Sequence, residues 1–310
     1  MNNIEDELDL VASALERVSS EDRETWVRMG IAIKGALGDA GKTVWMEWSE
    51  SGQNFNARSA ESVWRGIRAS GGLGMVFAEA KRNGWSGKPS RLSPEEREER
   101  ARRSAEAAAT AEAERQQMYL TVKNRAAEFH SKCLLRSHPY LARKGFPRMK
   151  VPTRGDLIIL PMRDAVTGEI WNVQKIDSDG GKFYLRDGRA KGLVLRMRFG
   201  SGPTVYCEGF ATGLSIRAAM QSADIDGQVV VTFSADNLKY VARGESGSRQ
   251  YVVGDNDPAT KAGKHPGLEA AIGTGLPYWI PPTEGDDAND FHDRHGLPAL
   301  ADELVSLFGR

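Results

Sequence analysis

The sequence predicts a multidomain α and α/β chain: a small helical N-terminal domain, a helical linker, a basic α+β subdomain and a Rossmann-like domain built on a parallel sheet. Three observations carry this. Residues up to about 88 space their apolar side chains with a helical period and show few strand signals. Residues 89–118 are rich in charged helix formers and poor in large apolar side chains. From Tyr119 onward, short apolar runs alternate with helical stretches, as in a sheet covered by helices. The expected bounds are 1–88, 89–118, 119–202 and 203–310, each assembly of ordinary domain size or smaller.

In the first region Leu8, Val11 and Leu15, then Trp26, Met29 and Ile33, then Val44 through Trp48 recur at helical spacing. Trp26, Trp45, Trp48 and Trp64 fall here and Trp85 closes it, so a compact helical domain with an aromatic core is expected. The run Ala36-Leu-Gly-Asp-Ala-Gly41-Lys42-Thr43 satisfies a relaxed phosphate-loop pattern. A true phosphate loop follows a buried strand, whereas the residues before this one read as a helix from Trp26 to Leu37. Gly38 and Gly41 are therefore expected to be turn residues at a helix end. Ser93 to Met118, with Glu-Glu-Arg and Ala-Ala-Ala runs, reads as a solvated helical spacer that carries no chemistry.

Asp156 to Asp164 and Ile170 to Ile176 read as hairpin strands around a Thr167-Gly168 turn, followed by strands at Phe183 to Leu185 and Leu193 to Met197. Next come a strand ending at Cys207, a helix from Gly213 to Gln221, a strand from Gln228 to Phe233, a helix, a strand from Tyr251 to Val253, a helix and a strand from Tyr278 to Ile280. In such sheets ligands sit beyond the carboxyl ends of the strands.

Net charge is zero, yet it is unevenly spread. Arg136 to Arg198 holds 14 Lys and Arg against 6 Asp and Glu, while Thr204 to Arg310 holds 8 against 15. A phosphate-binding surface beside a carboxylate cluster would produce this asymmetry. No apolar run approaches the ~20 residues of a membrane span and the acidic Met1 to Glu7 segment is no signal peptide, so a cytoplasmic location without a membrane partner is expected. Two cysteines, Cys133 and Cys207, build neither a zinc ribbon nor a disulfide framework. His265, His292 and His295 show no ligand spacing with them, so no zinc is expected.

Thr204-Val-Tyr-Cys-Glu208-Gly209 and Val252-Val-Gly-Asp255-Asn-Asp257 place one carboxylate, then a pair at i and i+2, at the ends of apolar runs. Residues i and i+2 of an extended chain share a face. Three acids can then converge on one divalent cation, and an all-oxygen set suits Mg²⁺ or Mn²⁺. The pattern resembles the Toprim metal-binding fold of bacterial-type primases, topoisomerases and some nucleases. The resemblance implies that Glu208, Asp255 and Asp257 are catalytic metal ligands, with Glu208 alternatively a general base.

Pro281-Pro-Thr-Glu-Gly285-Asp286-Asp287-Ala-Asn289-Asp290 resembles the late acidic motif of phage and plasmid Toprim proteins. It implies a second metal-binding pair, Asp287 and Asp290, with Asp286 as an alternative ligand; helix-capping acids are the other reading. Leu160-Pro-Met-Arg163-Asp164, Lys182-Phe-Tyr-Leu185 and Lys191-Gly-Leu193 resemble the basic subdomain that precedes Toprim in bacterial-type primases. That likeness implies nucleic-acid or nucleotide contacts by Arg163, Lys182, Arg186, Arg189 and Lys191. Lys239, in Ser234-Ala-Asp-Asn-Leu-Lys239, belongs to the same expectation, with solvent exposure as the alternative for it and for the hairpin lysines.

Asp22 to Lys34, Trp45-Met-Glu-Trp48-Ser, Trp64-Arg65, Gly71-Gly72 and Ala80 to Trp85 resemble the primase C-terminal type 2 modules attached to phage and plasmid primases or replicative helicases. Together the resemblances imply a phage- or plasmid-type DNA primase making RNA primers on single-stranded DNA from ribonucleoside triphosphates, with a replicative helicase supplied by another chain. A zinc module and a helicase motor are not among the motifs. A Toprim nuclease of a mobile element and a non-catalytic single-strand-binding or helicase-loading adaptor are the alternatives.

Overall fold

The computed structural model describes residues 4–53, 55–87, 94–242, 249–260 and 263–309. It divides into two compact units, residues 1–112 and 113–310. The expected boundary at 88/89 and the start of the spacer at Ser93 lie outside the described residues.

The first unit holds α1 (Ile4–Leu15), α2 (Arg23–Leu37), α3 (Lys42–Glu50), α4 (Ala57–Gly66) and α5 (Gly74–Arg82). Local signals set the ends. Asp22 caps α2 by accepting the Thr25 N–H at 2.7 Å, and Asn56 caps α4 by accepting that of Ser59 at 2.9 Å. Gly38 takes φ +58, a left-handed stop that relieves the end of α2. Gly38–Gly41 is a single 3₁₀ turn between helices, and the Lys42 ammonium is paired with Glu61 at 2.7 Å, so the phosphate-loop likeness is a turn, as expected.

Tryptophans fill the centre. Trp45, fully buried, stacks on Trp26 at 4.7 Å and meets Trp64 at 5.3 Å. Each indole N–H needs a partner once buried, and these find one: Trp45 donates to the Trp26 carbonyl, Trp48 to that of Val18, Trp26 to Ser49 Oγ and Trp85 to Ser13 Oγ.

Helix α6 (Pro94–Ser131) runs thirteen residues past Met118, where the spacer was expected to end. Its last turns are not a spacer. Val122 and Ala126 are buried against Ile159, Val173 and Leu185, so tertiary packing extends a helix whose sparse apolar residues gave little sequence signal.

The rest of the second unit is β1 (Leu134–Arg136), α7 (Pro139–Arg143), β2 (Val151–Arg154), β3 (Leu157–Asp164), β4 (Ile170–Ile176), β5 (Lys182–Tyr184), β6 (Leu193–Arg198), β7 (Thr204–Cys207), α8 (Phe210–Ser222), β8 (Gln228–Val231), α9 (Ala235–Val241), β9 (Gln250–Val253), α10 (Pro266–Gly273), β10 (Tyr278–Trp279) and α11 (Ala288–Phe308). Among the described residues one mixed sheet of ten strands results, ordered β1-β2-β3-β6-β8-β7-β9-β10, with β4 and β5 branching from β3. Strands β8, β7, β9 and β10 are parallel, as expected of a Rossmann-like domain. Antiparallel β6 pairs with β8 on one side and with Arg163–Asp164 of β3 on the other, so the basic hairpins and the parallel core share one sheet.

Period-two alternation sends the two faces of β7 to different helices. Val205 and Cys207 face α8 and α11, while Tyr206 joins α9 and α10. Gly213 lets α8 close on the sheet: a Cβ there would lie 2.8 Å from Met197 Cε and 2.9 Å from Val231 Cγ2.

Candidate active site

Glu208 follows β7 directly, and Asp255 lies two residues past β9. The parallel register pairs Tyr206 with Val252, and its continuation sets Glu208 level with Gly254 at the carboxyl edge of the sheet. Helix α10 presses on this loop: a Cβ on Gly267 would lie 2.2 Å from the Asp255 carbonyl oxygen. The Gly267 N–H donates to Asp257 Oδ2 at 3.1 Å, and His265 Nδ1 donates to the Asp257 carbonyl at 3.1 Å. Asp257 is thus aimed by the first turn of a helix.

The acids strain against one another. Glu208 Oε1 and Asp255 Oδ1 are buried without a hydrogen-bond partner. Burial and then the charge of Asp257 push the Glu208 carboxyl up to about 7, against the pull of Lys182 and the Ala235 N–H. Burial, then Glu208, Asp287 and Asp257, push Asp255 well above the usual carboxylate range. Burial followed by Asp255, Asp287 and Glu208 likewise raises the Cys207 thiol, which sits beneath them.

Asn256 clips the second acidic segment to the first. Its N–H donates to the Asp286 carbonyl at 2.9 Å, its carbonyl accepts from Gly285 at 2.6 Å and its side-chain amide reaches the Pro281 carbonyl at 2.9 Å. Asp287 and Asp290 form the capping box of α11: Asp287 Oδ1 accepts the N–H groups of Asn289 at 2.6 Å and Asp290 at 3.0 Å, and Asp290 Oδ2 accepts that of Asp287 at 3.2 Å. Thr212 Oγ1 donates to Asp287 Oδ2 at 3.0 Å, tying the cap to α8. Asp286 pairs with Arg294 and keeps its other oxygen buried without a partner.

Among the described residues no three of His, Cys, Asp and Glu are gathered tightly enough to hold a cation as they stand. The donor set nevertheless fits one. It is all oxygen, two of its buried oxygens lack partners, and burial together with neighbouring carboxylates raises the protonation of Glu208 and Asp255, a cost that a divalent cation would remove.

Of the six basic residues singled out in the sequence, only Lys182 lines the cavity beside these acids, its ammonium 4.0 Å from where a Gly209 Cβ would stand. Arg163 donates to the Gly168 carbonyl at 2.9 Å within its hairpin. Arg189 pairs with Asp164 and lies over Trp171 at 4.4 Å. Lys191 lies over Tyr240 at 4.5 Å, in a loop that Asn237 secures by accepting the Gly192 N–H and donating to the Leu193 carbonyl, both at 2.7 Å. Arg186 extends into solvent beside Asp187, and the Lys239 stem lies along Gly273 of α10.

The cavity, of about 240 Å³, is lined by three cations, Arg143, Lys144 and Lys182, with Tyr140, Thr212 and Asp287. Sequence reasoning passed over the first two. Their signal was a His138-Pro139 start, which makes α7, and two adjacent basic residues at its end.

Residues 11–80 match the family Primase C terminal 2 (PriCT-2), and residues 204–297 match the Toprim domain. No curated protein matches the chain. Two solved structures of bacteriophage T7 show remote likeness. The primase fragment of its primase-helicase protein is 16% identical with a TM-score of 0.35, covering 55% of this chain and 68% of that one. A chain in the structure of a lagging-strand DNA polymerase interacting with primase domains of two gp4 subunits bound to an RNA/DNA hybrid and dTTP is 15% identical with a TM-score of 0.35, covering 55% of this chain and 85% of that one. No helix among the described residues is long and apolar enough to cross a membrane. The chain carries a primase C-terminal 2 module followed by a Toprim domain, the pairing its motifs resembled.

Proposed function

We propose that the chain is a phage- or plasmid-type DNA primase that joins ribonucleoside triphosphates on a single-stranded DNA template. Glu208, Asp255 and Asp257 would hold one Mg²⁺ or Mn²⁺, and Asp287 with Asp290 a second. The observation carrying this reading is the pair Glu208 and Asp255, set at the carboxyl ends of adjacent parallel strands of a Toprim domain, each with a buried oxygen lacking a partner. The N-terminal match to a primase module supports the same reaction class.

A divalent cation in this site supplies Lewis-acid stabilisation to the attacking 3′ oxygen and the leaving pyrophosphate. The chain supplies position and protons. In the alternative in which Glu208 serves as general base and not as a ligand, its carboxyl, raised to about 7, is suited to accept the proton of the 3′ hydroxyl near neutral pH. Lys182 reaches toward the same acids and is placed to hold phosphate oxygens. Arg186 and Lys191, on exposed loops of the basic strands, are assigned to template phosphates. The N-terminal module is assigned recruitment of template or of a replicative helicase from another chain, in the cytoplasm and away from membranes.

The test supplies labelled ribonucleotides, single-stranded DNA and Mg²⁺ or Mn²⁺. Short RNA products that vanish in Asp255→Asn are expected. Template cleavage without synthesis would replace primase by nuclease, and binding without either would leave an adaptor.

A further inference from the structure

Helix α7 enters the acidic site through Lys144. The Lys144 carbonyl accepts the Asn289 side-chain amide at 3.0 Å, and its ammonium stands 3.3 Å from Asp290 Oδ1. Asn289 also donates to Ser215 Oγ at 3.0 Å, and Ser215 is bonded to His292 Nδ1 at 3.0 Å, so the main chain at Lys144 is anchored to both α8 and α11. The side chain is not fixed in the same way. It is 30% exposed, as Asp290 is 40% exposed, and an ion pair open to water to that extent is weak.

Asp290 Oδ2 is committed to the α11 cap and Oδ1 to Lys144, while the adjacent Asp287 spends both oxygens on N–H and O–H donors. Cation binding at this pair therefore competes with an ammonium already in place. Lys144 also lines the cavity with Arg143, Lys182, Asp179 and Asp287, and its four-carbon stem has freedom to turn there.

We propose that Lys144 is the resident counter-ion of the Asp287/Asp290 pair, that a divalent cation displaces it, and that the displaced ammonium joins Arg143 and Lys182 to form a phosphate site in the cavity. Cation and phosphate binding are then positively coupled through one side chain, and by linkage each strengthens the other by the same factor. This rests on the reading that the acids bind a divalent cation.

The experiment uses the full chain, Mn²⁺ counted by electron paramagnetic resonance, and inorganic phosphate titrated calorimetrically with and without Mn²⁺. Lys144→Ala removes the competitor while the Asn289 hydrogen bond, made to the main chain, remains. Its Mn²⁺ affinity without phosphate should rise roughly two- to five-fold, as loss of a weak exposed pair implies. Its phosphate affinity should no longer gain from Mn²⁺, and Lys144→Arg should restore that gain. Arg143→Ala should weaken phosphate binding and leave Mn²⁺ affinity unchanged. Mn²⁺ affinity in Lys144→Ala that is unchanged or reduced overturns the proposal alone. Absence of Mn²⁺ binding by the native chain overturns it together with the metal reading on which it rests.

Discussion

Glu208→Gln should make the metal-free protein more stable above neutral pH, with an effect that fades as pH falls and vanishes below pH 4.5. The Glu208 carboxyl is raised from 4.5 to about 7 by burial and by Asp257. Because the folded form holds this proton more tightly than the unfolded chain, the group carries no penalty below pH 4.5. The penalty grows between 4.5 and 7 and is complete above 7. At roughly 1.4 kcal/mol per pH unit the full span is worth about 3 kcal/mol, an upper bound given partial access to water. Asp255, raised for the same reasons, adds in the same direction.

The assay is urea unfolding of residues 113–310 in chelator at pH 5 and pH 8, followed by fluorescence of Trp171 and Trp279, the tryptophans this unit contains. The native fragment should lose stability between the two pH values and the variant should lose less. Mg²⁺ at pH 8 should then stabilise the native fragment and leave the variant nearly unmoved. Equal pH dependence in the two proteins would refute the claim that Glu208 is held in a hostile field.

Asp255→Asn and Asp257→Asn should each abolish synthesis while metal-free melting is unchanged or raised; full activity in either would remove the assigned ligands. Lys182→Ala with Lys191→Ala should weaken single-stranded DNA or nucleotide binding and flatten its salt dependence by about one unit of slope or less for each phosphate no longer held, and an unaltered slope would return both lysines to solvent. Arg189→Ala should instead cost about 1 to 2 kcal/mol of stability with little change in template binding. Burial raises the Asp164 carboxyl, but the Thr167 N–H and Arg189 outweigh it and hold the group at about 2, so its contribution, present above 3.8, is lost as pH falls toward 2; in the variant that loss should be smaller and complete at a higher pH. Gly267→Ala should destabilise by about 1 to 3 kcal/mol and weaken Mn²⁺ binding, because its Cβ would stand 2.2 Å from the Asp255 carbonyl oxygen; an unchanged Mn²⁺ titration would show that α10 does not set the acid loop.

Features written in contiguous residues were legible. Apolar runs ending in Glu208 and Asp255 gave strand ends, the Gly168 turn gave a hairpin, and the spacing of the tryptophans gave an aromatic helical core. Features made by distant partners were not. Val122 and Ala126 look like spacer until Ile159 and Val173 cover them. Arg189 reads as a free cation until Asp164 and Trp171 take its charge. Lys144 meets Asp290 across 146 residues, and Asn256 finds its second acidic segment through backbone groups that any residue carries. Periodicity reports which face is buried, and it is silent on which charges a fold will neutralise.

Lys182 stands on β5 and Glu208 directly follows β7, two strands linked rung by rung through β4, β3, β6 and β8. The sheet acts as a gauge block: the gap between ammonium and carboxylate is cut when the strands zip together, before any ligand arrives. Where many enzymes adjust such a gap by swinging one lobe against another, here the two jaws are forged from a single plate. Its narrowest neck is the pairing of Arg163 and Asp164 with Val194 and Leu193, so a glycine or proline introduced there would loosen the jaws while touching neither tooth.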